Sequence, residues 1–302
     1  MDFLGGASRA WALEKSFNGP LSPVAIQGGA DLRKITSLMC DMIDEYEPVW
    51  RQSANIHPNI AYVIGGIPDI TDKRHNNDRR GRYEEVVLDF DHTHAMDYLN
   101  SEYHLCELKI KQKGVIPVFA TIATMDIERW NIHRYNKFKT DYLLHKSEYP
   151  RMQRELNSII IDANEMIRNI NKRNRVETLD LARHVLTPRE GCKPGEIKYK
   201  IRTGTDKLHD GCHPTPEVTA QWIFHMSATK TVNRLQLSSP ESVQIIENHS
   251  LNKCDFIGAP LHTSTFKYYL SDFNIHPRRH SYPRRSYYPR RHNYYSRRQY
   301  HY

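Results

Sequence analysis

Short apolar runs alternate with longer amphipathic stretches over the first three quarters of the chain. The runs have the length of buried β-strands, and the stretches between them repeat apolar residues at helical spacing. In one stretch, for example, Leu156, Ile160 and Ile167 lie on the same side of a helix. The predicted strands are Asp2–Gly5, Pro23–Gln27, Asn59–Gly65, Val115–Thr121 and Val176–Leu179. The predicted helices are Ala10–Phe17, Asp31–Tyr46, Met96–Lys113, Arg151–Asn171 and one that begins after Pro214.

This alternation predicts an α/β fold, a three-layer α/β/α sandwich in which helices cover both faces of a central parallel sheet. Ligands bind at the carboxyl ends of the strands in such sheets. We therefore expect any functional site to lie in the loops that follow the strands.

The pattern fades after about Thr231 and becomes a basic near-repeat after His276. We expect one domain over residues 1–232, a linker over 233–275 that is ordered in part at most, and a tail over 276–302. The prolines of the tail and the repulsion between its paired arginines prevent a packed core, so we predict that it is disordered.

The tail holds the whole excess of positive charge. The chain has a net charge of +8, with 43 basic and 35 acidic residues, and the tail contributes eight arginines without an acidic residue. Guanidinium groups neutralise phosphates and aromatic rings stack on bases, which predicts binding of nucleic acid or another polyanion with little sequence preference. An anionic protein or membrane surface is an alternative partner. The residues expected to bind are Arg278, Arg279, Arg284, Arg285, Arg290, Arg291, Arg297, Arg298, Tyr287, Tyr288, Tyr294 and Tyr295.

Cysteine usage and hydropathy indicate an intracellular protein. The five cysteines are far apart and form no CxxC pair, which is typical of reduced thiols rather than of disulfides or a zinc module. The longest apolar run, Val115–Met125, is too short to span a membrane, and the N-terminus does not have the pattern of a signal peptide. We expect the cytoplasm, the nucleus or a virion as the location.

Candidate catalytic residues lie in short segments that follow predicted strands. Ser8 follows a glycine turn, and Asp210 and His213 stand three residues apart just before a helix. His213 could accept the proton of Ser8, and Asp210 could orient His213. The backbone N–H groups of Ser8 and of Gly28 or Gly29 could form an oxyanion hole.

The order of these segments resembles the SGNH/GDSL hydrolase family, whose four blocks read GDS, a lone glycine, GxND and DxxH. The corresponding residues here are Gly6-Ala7-Ser8, Gly28 or Gly29, Gly66-Ile67-Pro68-Asp69 and Asp210-Gly211-Cys212-His213. The resemblance covers about residues 1–232. It implies a serine esterase or acyl hydrolase that uses neither a cofactor nor a metal, with Ser8, Asp210 and His213 as the triad.

Two departures from the family pattern leave a second hypothesis open. The family has aspartate where this chain has Ala7, and it has an oxyanion-hole asparagine where this chain has Pro68. Proline offers neither a backbone nor a side-chain donor. The alternative is therefore a catalytically impaired scaffold that acts as a nucleic-acid-binding or structural protein, of a kind found in viruses and mobile elements.

Two further segments have alternative interpretations. Residues 86–93 match the DxDxT signature of haloacid-dehalogenase-type phosphotransferases, but the acidic pair that should follow is missing, so a solvated loop is favoured. Asp91, His92 and His94 match no metal-site template. The basic segment Lys73–Arg82 is predicted to be a solvated loop, with binding of an anionic substrate or nucleic acid as the alternative.

Overall fold

The computed structural model of the chain describes residues 1–17, 19, 22–52, 58–78, 81–88, 91–138, 145–185, 187–188, 199–200 and 207–238. Its centre is a parallel sheet of strands β1 (Asp2–Gly6), β2 (Val24–Ile26), β3 (Asn59–Ile64) and β6 (Val115–Phe119), in the order β2-β1-β3-β6. All six residues of β3 are buried, as expected for a strand covered on both faces.

Helices connect the strands and cover the sheet. A 3₁₀ helix, Ser8–Phe17, follows β1. The α-helices are α1 (Leu32–Gln52), α2 (Ile67–Ile70), α3 (His92–Gln112), α4 (Ile127–Phe138), α5 (Tyr149–Arg173) and α6 (Pro216–Ser238). The other described strands form two antiparallel pairs, β4 (Asp72–Asp78) with β5 (Gly81–Val87), and β7 (Thr187–Pro188) with β8 (Tyr199–Lys200). Two further 3₁₀ helices span Lys146–Glu148 and Ala182–His184.

Alternating strand residues separate the core into two layers. Phe3, Val63 and Phe119 belong to the apolar cluster that contains the buried residues of α1, α3 and α5. Their neighbours Leu4 and Tyr62 belong to the cluster that contains the 3₁₀ helix and α6. The period of two along each strand thus produces the predicted three-layer α/β/α sandwich.

Side-chain caps fix the start of several helices near the carboxyl ends of the strands. The carboxylates of Asp31, Asp91 and Asp126 accept hydrogen bonds from the N–H groups of Lys34, His94 and Arg129, at 2.8, 2.8 and 2.9 Å. Each cap satisfies a backbone donor that the first helical turn leaves free. Asp91 thus has a structural role at the start of α3, and Asp89 lies outside the described residues.

The prediction of a fifth strand at Val176–Leu179 is wrong. Only a single parallel bridge joins Leu179 to Ala120. The backbone of Glu177 is instead bonded to the side chain of Asn233, and the backbone of Phe119 to the side chain of Asn171. These two amides satisfy backbone groups that would otherwise pair in a strand ladder.

The prediction of a loop at Lys73–Arg82 is also wrong, because β4 and β5 form a hairpin there. The segment lacks apolar alternation, which is the signal by which a strand is recognised from sequence. Val86 and Val87, at the end of β5, are its buried apolar residues.

Helix α6 continues to Ser238, so the predicted domain boundary at residue 232 falls inside this helix. Residues 239–302, which contain most of the predicted linker and all of the tail, lie outside the described residues. None of the helices in the described part of the chain is long and apolar enough to cross a membrane.

Candidate active site

The segments singled out from the sequence meet at the carboxyl edge of the sheet. Ser8 follows β1, Gly28 and Gly29 follow β2, and Pro68 lies in α2 just after β3. The loop Asp210–His213 precedes α6, and its side chains reach the loop after β1. This is the edge at which parallel α/β sheets bind ligands.

Ser8, His213 and Asp210 are joined by two hydrogen bonds. Ser8 Oγ is 3.0 Å from His213 Nε2, and His213 Nδ1 is 2.7 Å from Asp210 Oδ2. Asp210 is buried, whereas Ser8 and His213 are partly exposed. The hydroxyl is thus accessible from solvent while the carboxylate is shielded, which is the arrangement of a nucleophile, a base and a residue that orients the base.

The loop itself keeps Asp210 ionised. Burial alone would raise the pKa of Asp210, but hydrogen bonds from the His213 ring and from the N–H groups of His213 and Cys212 outweigh burial and hold this pKa well below its usual range. The two N–H groups lie 2.7 and 2.8 Å from Asp210 Oδ1. One carboxylate oxygen therefore binds the backbone and the other binds the imidazole.

Gly211 allows this loop to pack against the start of α4. Its φ is +89°, and a Cβ atom at this position would lie 2.6 Å from Trp130 N and 2.8 Å from Asp126 O. The N–H of Asp126 donates to Gly211 O at 2.7 Å. The Trp130 ring stands edge-on to the His213 ring, with the centroids 5.6 Å apart. Only glycine fits here, because both the φ angle and the available space exclude a side chain.

Arg9, the residue after Ser8, ties three segments of the site together. Its buried guanidinium donates to the carbonyl oxygens of Ala123, Thr124 and Cys212, the last two at 2.9 Å. The Ser8 loop, the segment after β6 and the His213 loop are thereby held around one side chain. The sequence analysis did not identify Arg9, because a single arginine at the start of an amphipathic segment is typical of a surface residue.

The predicted oxyanion-hole segment turns directly beside the Ser8 loop. Gln27 N donates to Gly6 O at 3.0 Å, and Gly29 has a φ of +70°. A Cβ atom on Gly28 would lie 3.2 Å from the Trp11 ring, which is itself 52% exposed. Trp11 thus forms an apolar wall beside Gly28, and the sequence analysis did not identify it.

The third block adopts a backbone conformation that suits glycine but provides no asparagine. Gly66 has a φ of +109°, and Pro68 occupies the first turn of α2. Asp69 is buried and accepts hydrogen bonds from Leu32 N at 2.9 and 3.2 Å. Burial raises the pKa of Asp69 to about 7, although bonds from the N–H groups of Leu32 and Gly66 act in the opposite direction.

Within the described residues, one group has the composition of a metal site. Ligand atoms of His209, Asp210 and His213 lie within 4.8 Å of one another. His213 Nδ1 and the Asp210 carboxylate are already bonded to each other, so a metal would have to displace that bond. His92 instead contacts Asp162 at 2.8 Å. The predicted tail residues, Arg278–Arg298 and Tyr287–Tyr295, lie outside the described part of the chain.

Comparison with known proteins finds similarity in structure only. No family model and no curated protein sequence matches the chain. A GDSL-like lipase from Bacteroides thetaiotaomicron is 10% identical, with a TM-score of 0.40, over 76% of this chain and 86% of that one. A candidate acylhydrolase from Bacteroides fragilis is 13% identical, with a TM-score of 0.41, over the same shares. A G-D-S-L family lipolytic protein from Desulfitobacterium hafniense is 10% identical, with a TM-score of 0.37, over 76% of this chain and 98% of that one.

At these identities the likeness concerns the fold and assigns no reaction to this chain. The parallel sheet, the helices on both of its faces and the four blocks at one edge are the features by which the sequence predicted an SGNH/GDSL-type protein. The described sheet and helices confirm the predicted α/β fold with helices on both faces of a central parallel sheet.

Proposed function

We propose that the chain is a serine-dependent esterase or acyl hydrolase of SGNH type. Ser8 is the nucleophile, His213 the general base and Asp210 the residue that orients His213. One observation carries the proposal: unbroken hydrogen bonding runs from Ser8 Oγ through both nitrogens of His213 to Asp210 Oδ2, at 3.0 and 2.7 Å.

The reaction follows from this geometry. His213 Nε2 takes the hydroxyl proton as Ser8 Oγ attacks the carbonyl carbon of an ester, and the carbonyl oxygen becomes an oxyanion. Collapse of this intermediate expels the alcohol, which receives the proton from His213, and leaves an acyl group on Ser8. Water then attacks the acyl group by the same route and releases the acid. The depressed pKa of Asp210 keeps its carboxylate ionised beside the imidazolium that forms in each step.

The proposed oxyanion hole consists of the backbone N–H groups of Ser8, Gly28 and Gly29. The N–H of Ala7 cannot take part, because it donates to Ile64 O at 2.9 Å. Trp11, beside Gly28, offers an apolar surface to the acyl or alcohol part of the ester.

An activity-based probe tests the nucleophile directly. A fluorophosphonate should label the folded protein at Ser8, as located by mass spectrometry of the digested protein, and Ser8→Ala should abolish the label. Ser227→Ala is the matched control, because Ser227 is exposed and donates only within helix α6, to Ile223 O. A folded wild-type protein that resists the probe would contradict the proposed hydrolase.

We also propose a function for the tail, because the excess positive charge of the chain is confined to residues 276–302. The eight arginines between Arg278 and Arg298, with the tyrosines between them, bind nucleic acid or another polyanion through residues 276–302. If the hydrolase proposal fails, this binding is the main function of the chain, and residues 1–232 serve as its scaffold. Ser8→Ala distinguishes the two functions, since it should remove the first and leave the second unchanged.

A further inference from the structure

The third block of the site has Pro68 where the SGNH/GDSL pattern has asparagine. Pro68 has no N–H and no polar side chain. The neighbouring Asp69 does not replace it, since its side chain is buried and both of its carboxyl oxygens already accept hydrogen bonds from Leu32 N. An oxyanion that forms near Ser8 would therefore receive no side-chain donor from this block.

Two other polar side chains can be excluded as replacements. Asn59 lies at the amino end of β3, where its Oδ1 accepts a hydrogen bond from the N-terminus of Met1 at 2.8 Å. It is thus at the edge of the sheet opposite to Ser8. Arg9 adjoins Ser8, but its guanidinium is committed to the carbonyl groups of Ala123, Thr124 and Cys212.

Lys73 brings a positive charge to the predicted oxyanion-hole segment. Its Nζ lies 3.5 Å from the position that a Cβ atom would occupy on Gly29. The lysine belongs to β4, which follows β3 and α2, whereas Gly29 follows β2. In the sheet, β1 lies between β2 and β3, so the two segments that Lys73 connects flank the segment that carries Ser8.

The backbone of Lys73 is held by a buried anchor. Lys73 pairs with Val86 in the hairpin, and the N–H and C=O of Val86 are both bonded to the side-chain amide of Asn131, at 2.9 and 2.8 Å. Asn131 belongs to α4 and is fully buried. The start of the hairpin is thereby fixed to the main body, and the side chain of Lys73 is exposed.

We propose that the Lys73 ammonium donates a hydrogen bond to the oxyanion beside Gly29 and supplies the donor that is absent at Pro68. This inference rests on the proposed serine hydrolase function. An ammonium group has three donors and a full positive charge, and it stabilises an oxyanion more than a neutral ester carbonyl. Its contribution is therefore greater in the transition state than in the bound substrate.

Steady-state kinetics on a neutral ester test the proposal. With p-nitrophenyl acetate, Lys73→Ala should lower kcat by about 10²–10³-fold, as loss of one oxyanion donor does in a serine protease, with little change in KM. Lys73→Arg should retain part of the activity, and added ethylammonium should restore part of the rate of Lys73→Ala. Lys113→Ala is the matched control, because Lys113 precedes β6 at the opposite edge and forms an exposed ion pair with Asp44.

The outcomes separate this inference from the function on which it rests. If wild type and Lys73→Ala hydrolyse the neutral ester at the same kcat, the role of Lys73 is refuted while the hydrolase stands. If Lys73→Ala raises only the KM of the anionic ester p-nitrophenyl hemisuccinate, Lys73 recognises substrate charge and the proposal is also overturned. If the folded wild type neither hydrolyses the ester nor labels at Ser8, both proposals fail.

Discussion

Two buried charges beside the candidate site are satisfied by backbone groups rather than by opposite charges. The guanidinium of Arg9 is surrounded by carbonyl oxygens, and the carboxylate of Asp69 by the N–H groups of Leu32 and Gly66. Backbone dipoles can hold a buried charge, but each such group still loses its hydration. The two differ in their response to pH, because an arginine stays protonated whereas the raised pKa of Asp69 lies close to neutrality.

Replacement of Asp69 by asparagine should change how stability depends on pH. The pKa of Asp69 rises from 3.8 to about 7 on folding, so the folded state favours the neutral carboxyl. The stabilisation that this group adds to the free energy of unfolding is therefore fully present below about pH 4. It is lost as the pH rises through about 7. The asparagine side chain has no charge to desolvate and keeps an acceptor for Leu32 N. We expect urea titrations to show that Asp69→Asn gains stability relative to wild type between pH 4 and pH 8, by roughly 1–4 kcal/mol.

Asp97→Asn provides the control for this experiment, since Asp97 is exposed on α3 and its replacement removes the same charge. A difference between Asp69→Asn and wild type that is constant across this pH range would contradict the assignment of a raised pKa to Asp69.

Four buried asparagines connect elements that no strand pairing joins. Each side-chain amide accepts a bond from the N–H of one residue and donates to the C=O of the same residue. The pairs are Asn131 with Val86, Asn164 with Ile122, Asn171 with Phe119, and Asn233 with Glu177. An amide that binds both backbone groups of one residue has the bonding pattern of a neighbouring strand. These asparagines hold the edge of the sheet and the segment after β6, which in turn holds Arg9.

Asn171→Leu should therefore destabilise the domain although leucine is apolar and similar in size. The N–H and C=O of Phe119 would lose their partners inside the protein, at a cost of about 1–3 kcal/mol for each buried group. Chemical denaturation measures the total loss, and hydrogen exchange of the Phe119 amide shows whether it arises there. An Asn171→Leu variant as stable as the exposed control Asn100→Leu would refute this role.

The pattern of residues predicted the elements that bury alternating or helically spaced apolar side chains. It correctly indicated the four strands of the central sheet, and the order of the blocks together with the parallel topology brought Ser8, Asp210 and His213 to one edge. It failed at Val176–Leu179, because the side-chain amide of Asn233 rather than a neighbouring strand satisfies the backbone of Glu177. Arg9 and Lys73 were not identified as single site residues, since their positions depend on contacts far along the chain, with Cys212 and Gly29.

Over the whole chain, the candidate site and the excess positive charge lie in different segments. Without the eight tail arginines, its 35 basic residues equal its 35 acidic residues, so the part that contains the candidate site is neutral overall. A domain without net charge has no long-range attraction for a polyanion. If the chain binds nucleic acid, the affinity must therefore come mainly from residues 276–302, and it should be separable from the chemistry at Ser8.

Salt dependence of binding tests this separation. Anisotropy of a labelled single-stranded oligonucleotide should show tight binding at low salt, with a slope of log K against log salt of about −0.7 for each phosphate neutralised. Replacement of the eight tail arginines by glutamine in the full chain should weaken binding and flatten this slope. Replacement of Tyr287, Tyr288, Tyr294 and Tyr295 by leucine should weaken binding but leave the slope unchanged, because stacking releases no counterions. Fluorophosphonate labelling of Ser8 should be equal in all three proteins.

Equal affinity of the wild type and the glutamine variant would contradict the proposed role of the tail. The tail would then have another role, and the part of the chain without net charge would have no long-range attraction for nucleic acid.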